Sequence, residues 1–203
     1  TIHPQPKAGF AISRPLGICI GEVVSFSDQS TGADGTVNEW HWNFDDGNSD
    51  TQNNPSHLYN ATGTYQVGLY IVNSFGCNSD TLFKPFTVNS YPVINAGEDR
   101  FVLEGGSILL KPIVTAIEPT YLWEPATYLN NNLIAQPTSA PQEDITYKVT
   151  VTGRGSCSSS DVVFVKVLKG PKIPNTFSPN GDGINEKWTI EYLDTYPDNR
   201  VQV

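Results

Sequence analysis

Methionine is absent from this chain, and histidine and cysteine occur only three times each in 203 residues. The histidines at 3, 41 and 57 and the cysteines at 19, 77 and 157 show no metal-ligand spacing, which excludes a zinc ribbon or finger. No segment resembles a strained nucleophile turn, so no catalytic residue is assigned and an enzyme is not expected. Basic residues are scarce too: 12 lysines and arginines stand against 21 acidic residues, for a net charge of −9. That balance opposes phosphate backbones and anionic lipid surfaces, so nucleic acid is excluded as a partner. No apolar run approaches the roughly 20 residues that a membrane-spanning helix needs. The chain begins at Thr1 without a signal-peptide pattern, and together with the missing methionine this predicts an internal fragment of a longer exported precursor.

Helical periodicity is the last absence, and it leaves short strands joined by turns. Glycine occurs 17 times and proline 15 times, and the hydrophobic share of 38% is enough to bury real cores. The class is therefore all-β. Residues 1–6, TIHPQP, read as a linker. Strands are expected at 9–12, 23–26, 37–44, 64–72 and 82–88. The clearest alternation sets Tyr65, Val67, Leu69 and Ile71 against Gln66, Gly68 and Tyr70, which marks a strand with one buried side. Trp40, Trp42 and Phe44 form a second such face, with His41 opposite. Between these strands the turn-formers Asp45-Asp46-Gly47-Asn48-Ser49 and Asn53-Asn54-Pro55 set the corners.

A second unit starts near Tyr91-Pro92 and repeats the landmarks of the first. Trp42 to Tyr65 spans 23 positions and Trp123 to Tyr147 spans 24; Tyr65 to Cys77 spans 12 and Tyr147 to Cys157 spans 10. An offset of about 80 residues argues for tandem sandwiches of similar topology. Lys169-Gly170-Pro171 is the natural boundary after it. Beyond lies Ile173-Pro-Asn-Thr-Phe-Ser-Pro-Asn-Gly-Asp-Gly-Ile-Asn185, whose glycines at 181 and 183 permit positive φ in a compact turn.

Three motifs in order, Trp42-Asn-Phe-Asp-Asp-Gly47, Asn54-Pro-Ser-His-Leu-Tyr59 and Gly63-Thr-Tyr-Gln-Val67, resemble the PKD domain, an immunoglobulin-like sandwich. The resemblance covers about residues 7–89. Asp45 stands where that family usually has glycine, a position that asks for left-handed backbone, which Asp tolerates better than most residues. Residues 91–168 resemble a PKD-like or immunoglobulin-like repeat, with Trp123-Glu-Pro-Ala and Asn130-Asn-Asn in place of the Asp-Asp-Gly turn. The run from Ile173 to Asn185 resembles the opening of the gliding-motility-associated C-terminal domain, the type B sorting domain of the Bacteroidetes type IX secretion system. Glu186 stands where that family often has Asp, and Val203 falls before its later Asn-Arg-Trp-Gly motif. The expected architecture is thus two immunoglobulin-like β-sandwiches in tandem plus the first strands of a third, truncated C-terminal β domain.

The resemblances imply the C-terminal region of a large secreted cell-surface protein, a gliding-motility adhesin whose sandwiches act as spacer or adhesion modules. They imply export across the outer membrane to the cell surface, with recognition by type IX outer-membrane components that include a PorP/SprF-type barrel protein. The residues expected to carry recognition are Ile173, Pro174, Asn175, Phe177, Pro179, Asn180, Gly181, Asp182, Gly183 and Asn185. A surface glycan or protein is the adhesion target such a module would meet, with exposed aromatics such as Tyr70 and Tyr91 as candidate contacts. The rival reading is a non-catalytic accessory tail of a secreted glycoside hydrolase or peptidase.

No cofactor is required by either reading; calcium is the candidate ion. Setting Ser178 at position 1 of an EF-hand-like loop puts Asn180 at 3, Asp182 at 5, Gly183 at 6 and Glu186 at 9, while Thr189 leaves position 12 without its carboxylate. Asn180, Asp182 and Glu186 are the metal candidates there, and a turn held by its own hydrogen bonds is the alternative. Asp45, Asp46 and Asp50 form a second acidic cluster, readable as a cation site or as a solvated turn. Cys19 precedes one expected strand and Cys77 follows another, which predicts a Cys19–Cys77 disulfide with reduced buried thiols as the alternative. Cys157 is then left as a quiet, partly buried thiol. The 33 residues 171–203, with strand-like runs near 188–193 and 200–203, cannot bury a sandwich core unaided, so they are expected to pack loosely on the second unit or be completed by another chain.

Overall fold

The computed structural model describes residues 3–174, 187 and 189–197. It is built from strands, and no α-helix occurs among the described residues. The chain divides into two compact units. The first runs to Pro92 and also takes in Ala116–Pro119 and Thr152–Ser158; the second comprises Val93–Thr115, Thr120–Val151 and the described residues from Ser159 onward.

Eight strands make the first unit: β1 (Phe10–Ile12), β2 (Ile18–Cys19), β3 (Val23–Asp28), β4 (Val37–Asn43), β5 (Ser49–Asp50), β6 (Ser56–Leu58), β7 (Gly63–Asn73) and β8 (Leu82–Asn89). They form a three-stranded sheet in the order β1-β3-β6 and a five-stranded sheet in the order β2-β8-β7-β4-β5. The alternation read in the sequence decides what each sheet turns inward. Val67, Leu69 and Ile71 of β7 are fully buried, as are Val24 and Phe26 of β3 and Trp42 of β4. Rings from the two sheets meet in the middle: Phe10 lies edge-on to Trp42 at 5.1 Å, and Phe26 lies 5.6 Å from Trp42 and 6.3 Å from Phe86. Burial of these large side chains is the main favourable term, at about 25 cal/mol for each Å² of apolar surface removed from water.

The second unit contains β9 (Val93–Asn95), β10 (Arg100–Leu103), β11 (Ile108–Leu109), β12 (Ile113–Thr115), β13 (Thr120–Glu124) and β14 (Thr138–Ser139), with most of β15 (Ile145–Thr152) and β16 (Ser158–Leu168). Its main sheet runs β10-β16-β15-β13, beside the pairs β11-β14 and β12-β9. Tyr147, Val149 and Val151 of β15 and Val163, Val165 and Val167 of β16 alternate into its core with Trp123. Both tryptophan-centred units are therefore β-sandwich material, as the repeat predicted.

The predicted Cys19–Cys77 disulfide is not formed. Cys19 is joined to Cys157, 138 positions along the chain with Cα atoms 5.6 Å apart, and Cys77 is free. The reason lies in the short strand β2, which pairs in parallel with β8 and sets Cys19 beside Asn89, at the far end of β8 from the turn that carries Cys77. At about 3.3 Å per residue, eight residues of β8 hold the two thiols some 25 Å apart, beyond what a disulfide spans. Cys77 is occupied instead in closing the β7–β8 turn, where its backbone N–H donates to Asn73 Oδ1 and its carbonyl accepts from the Asn73 N–H. Cys157, expected to be a quiet thiol, is fully buried and bonded.

The described part of the 188–193 run is not a strand. Glu191 makes a single antiparallel bridge with Lys172, Tyr192 turns left-handed at φ 64°, and Leu193–Thr195 close a 3-10 turn. The left-handed residue breaks the extended pattern. The run at 200–203 lies outside the described residues.

Candidate functional site

The acidic corner after β4 is held by a set of side-chain hydrogen bonds. Asp45 takes φ 63°, a left-handed conformation that glycine adopts more readily, and its side chain accepts the Gln66 N–H at 2.8 Å, a bond that glycine could not make. Its own N–H is held by Asn43 Oδ1 at 2.8 Å. Asp46 accepts the Asn48 N–H at 3.0 Å through one oxygen and meets His57 Nε2 at 2.7 Å through the other. Both side chains of that pair are about 85% buried, and the His57 ring stacks flat on Phe44 at 4.1 Å and edge-on to Tyr59 at 4.6 Å. Burial alone would raise the Asp46 pKa, but the bonds from His57 and Asn48 and the charge of His57 outweigh it and hold the carboxyl below its ordinary value of 3.8.

Asp50 accepts the Gln52 N–H at 2.7 Å. The three aspartates each hold backbone or histidine, and no group of three or more His, Cys, Asp or Glu able to hold a metal ion occurs among the described residues. The second acidic cluster is thus a set of turn clamps, and the cation reading of it fails. Tyr59, fully buried, completes the corner by donating its hydroxyl to the Phe44 carbonyl at 3.1 Å, and burial pushes its pKa well up.

The histidines are all engaged in packing. His3 stacks on Phe75 at 3.8 Å, His41 stacks on Tyr70 at 4.4 Å, and His57 is spent on the corner. The Tyr70 ring belongs to a depression of about 370 Å³ against β4, β7 and β8, where Phe83 lies over Gly68 and Asn43, Asp50 and Thr51 also line the wall. A Cβ on Gly68 would come within 2.9 Å of the Phe83 ring, so the glycine is what lets that ring lie down. Tyr91 is 44% exposed.

Of the residues assigned to recognition, Ile173 and Pro174 are described, and Ile173 is exposed. Asn175, Phe177, Pro179, Asn180, Gly181, Asp182, Gly183 and Asn185 lie outside the described residues, as does the metal candidate Glu186. What is described is the base of that segment. Lys172 and Glu191 exchange both backbone hydrogen bonds, at 3.1 and 3.2 Å, and their side chains pair at 3.5 Å. The ammonium groups of Lys169 and Lys172 lie 5.3 and 5.1 Å from the centre of the Tyr192 ring. Sequence reasoning did not find this closure, whose signal is only a lone Lys and Glu nineteen positions apart.

The fourth feature is the seat of the disulfide. Gly155 takes φ 71° and packs so closely on Asn89 that a Cβ would lie 2.3 Å from the Asn89 amide nitrogen. Asn89 Nδ2 in turn donates to the Ile18 carbonyl at 3.3 Å, the Gly153 N–H donates to Cys157 at 2.8 Å, and the Arg154 N–H donates to Ile117 at 3.1 Å.

Comparison with known proteins places names on two stretches. Residues 4–88 match the PKD domain family, and residues 171–203 match the CHU_C Type IX secretion signal domain. Among curated proteins, Collagenase ColA of Bacillus cereus is 30% identical over 99 residues, 49% of this chain and 10% of that protein. Collagenase ColA of Clostridium perfringens is 29% identical over 82 residues, 39% of this chain and 7% of that protein. The chain thus spans a tenth or less of the length of these relatives. Among solved structures, the PKD1 domain of the Vibrio cholerae metalloprotease PrtV is 26% identical, with 42% of this chain and 98% of that one covered and a TM-score of 0.37. The Clostridium thermocellum CbhA fibronectin(III)-like modules are 14% identical, with 79% and 95% covered and a TM-score of 0.43.

Proposed function

From a chain that carries a PKD domain ahead of a type IX secretion signal domain, and so belongs to the C-terminal region of a secreted, cell-surface-associated protein, we propose a non-catalytic spacer that ends in a sorting address. The observation that carries this reading is the order of its parts, sandwich modules first and signal last. In this reading residues 1–6 are a linker, 7–89 the PKD module, 91–168 a second immunoglobulin-like module and 171–203 the opening of the sorting domain. The packing of all three histidines, and the use of the corner aspartates on backbone, support a chain into which no reacting group is built.

Recognition is assigned to Ile173, Pro174, Asn175, Phe177, Pro179 to Gly183 and Asn185, with type IX outer-membrane components, including a PorP/SprF-type barrel, as the partner. Backbone pairing along an exposed edge is the physical means we favour, because an extended segment adds hydrogen bonds without needing a preformed pocket. Fusing the segment from residue 171 to the precursor's C-terminus onto a folded periplasmic reporter tests this. Arrival of the reporter at the surface of a secretion-competent host supports the assignment, and retention of folded reporter inside defeats it. Calcium at Asn180, Asp182 and Glu186 belongs to the same proposal, and calorimetric titration of the chain with calcium reads it directly.

What the spacer carries divides two readings. A gliding-motility adhesin predicts further repeats upstream. An accessory tail of a secreted hydrolase, favoured by the likeness to two collagenases, predicts a catalytic domain there instead, so reading the upstream sequence decides between the two. A glycan target would use the depression around Tyr70 and Phe83, and glycan binding that disappears in Tyr70→Ala and Phe83→Ala while Trp42 and Trp123 stay intact is its test.

A further inference from the structure

A protein that holds cargo at a cell surface carries tension along its backbone, and covalent connectivity decides which strands feel it. Cys19 closes β2 and Cys157 directly precedes β16, so every strand from β3 to β15 lies inside the loop closed by their bond. A pull on the two ends of the chain enters through β1 and β2, crosses from sulfur to sulfur and leaves along β16. Hydrogen-bonded strands part under forces that leave a disulfide intact, because each ladder bond contributes only about 1 kcal/mol net. The bridge is also shielded: Cys157 is fully buried and Cys19 is 5% exposed. Its seat, with Gly155 against Asn89 and the Gly153 N–H on the Cys157 carbonyl, keeps the sulfurs from solvent, which slows thiol–disulfide exchange.

We propose that the Cys19–Cys157 bond is a force bypass that shields strands β3 to β15 from tension along the chain and fixes the maximum length to which this tether can be drawn. The inference goes beyond the spacer reading and holds mechanically whatever cargo is attached. A failure of the sorting segment in the export test would leave it untouched.

The test stretches the full chain by handles at its two ends in a force spectrometer, first in oxidising buffer and then in dithiothreitol. Reduction is expected to lengthen the fully drawn chain by about 48 nm, the 138 enclosed positions at roughly 3.5 Å each. The Cys19→Ser/Cys157→Ser double variant is expected to reach the longer limit without reductant, and Cys77→Ser is expected to keep the full gain. Equal lengths with and without reductant overturn the proposal. So does a gain of only about 20 nm, the span from Cys19 to Cys77, or a gain that vanishes in Cys77→Ser. Because the fully drawn length does not depend on prior folding, a double variant that fails to fold still reports the same limit.

Discussion

The two tryptophan units hold the same kind of loop by different chemistry. Trp42 Nε1 donates to the Gln52 carbonyl at 2.9 Å, and Trp123 Nε1 donates to the Ile134 carbonyl at 3.1 Å, so each buried indole pins the loop after its own strand. A buried tyrosine hydroxyl then holds the corner: Tyr59 on the Phe44 carbonyl in the first unit, Tyr147 on the Thr127 carbonyl at 2.8 Å in the second. Around that shared plan the first unit uses charge, with Asp46 on His57 and Asp45 on the Gln66 N–H. At the Tyr147 corner the second unit uses neutral groups, with Tyr147 on Ser139 at 2.8 Å and Asn130 Oδ1 on the Thr138 N–H at 2.9 Å. A loop needs its polar backbone satisfied, and either an ionised or an uncharged side chain does that; only the ionised one makes the corner sensitive to pH.

The largest effects are expected at the tryptophan centre that both units share. Trp42→Ala and Trp123→Ala should each cost about 3–5 kcal/mol, since each removes a fully buried ring and strands a loop carbonyl. Urea unfolding of the two variants checks it; a cost below 1 kcal/mol for either would mean that its indole is not central to that unit. Next in size is Asp46→Asn, expected to cost about 1–2 kcal/mol at pH 6. The sign of its pH dependence follows from the lowered pKa. The Asp46 contribution is complete above its unfolded value of 3.8 and is lost as pH falls through the lower folded value, so the gap between wild type and variant should close below pH 3.8.

Tyr147→Phe in the second unit should cost about 1–2 kcal/mol, with the same gap at pH 3 and pH 6, because its partners Ser139 and the Thr127 carbonyl do not titrate there. A gap that closes in acid for Tyr147→Phe as it does for Asp46→Asn would erase the contrast. The smallest effect is expected from Gly155→Ala, about 1 kcal/mol from the left-handed backbone and the close approach to Asn89, read as a lowered thermal midpoint.

Much of this was legible in the residues because strand alternation and the tryptophan repeat are local or nearly so. Residues 64–72 announced β7 through Val67, Leu69 and Ile71, and the left-handed Asp45 could be expected from its place in the Asp-Asp-Gly turn. What stayed hidden is non-local. Strand β2 has two residues and no alternation, and its parallel pairing with β8 joins positions 70 apart, so the true partner of Cys19 could not be read from spacing. The repeat itself misled, by making Cys157 look like a copy of Cys77. In the same way Tyr147 repeats the place of Tyr65 in the sequence, yet it is Tyr59 that shares its task of holding the corner. The extended reading of 188–193 failed at Tyr192, whose left-handed φ no pattern of hydrophobicity encodes.

The proposed function rests on residues from 171 onward addressing a chain of β modules to the cell exterior. Deleting them from the precursor in its own host, followed by protease shaving of intact cells and detection of residues 7–168, tests it most directly. The account predicts that these modules remain folded and protected inside the cell; digestion equal to that of the undeleted protein would contradict it.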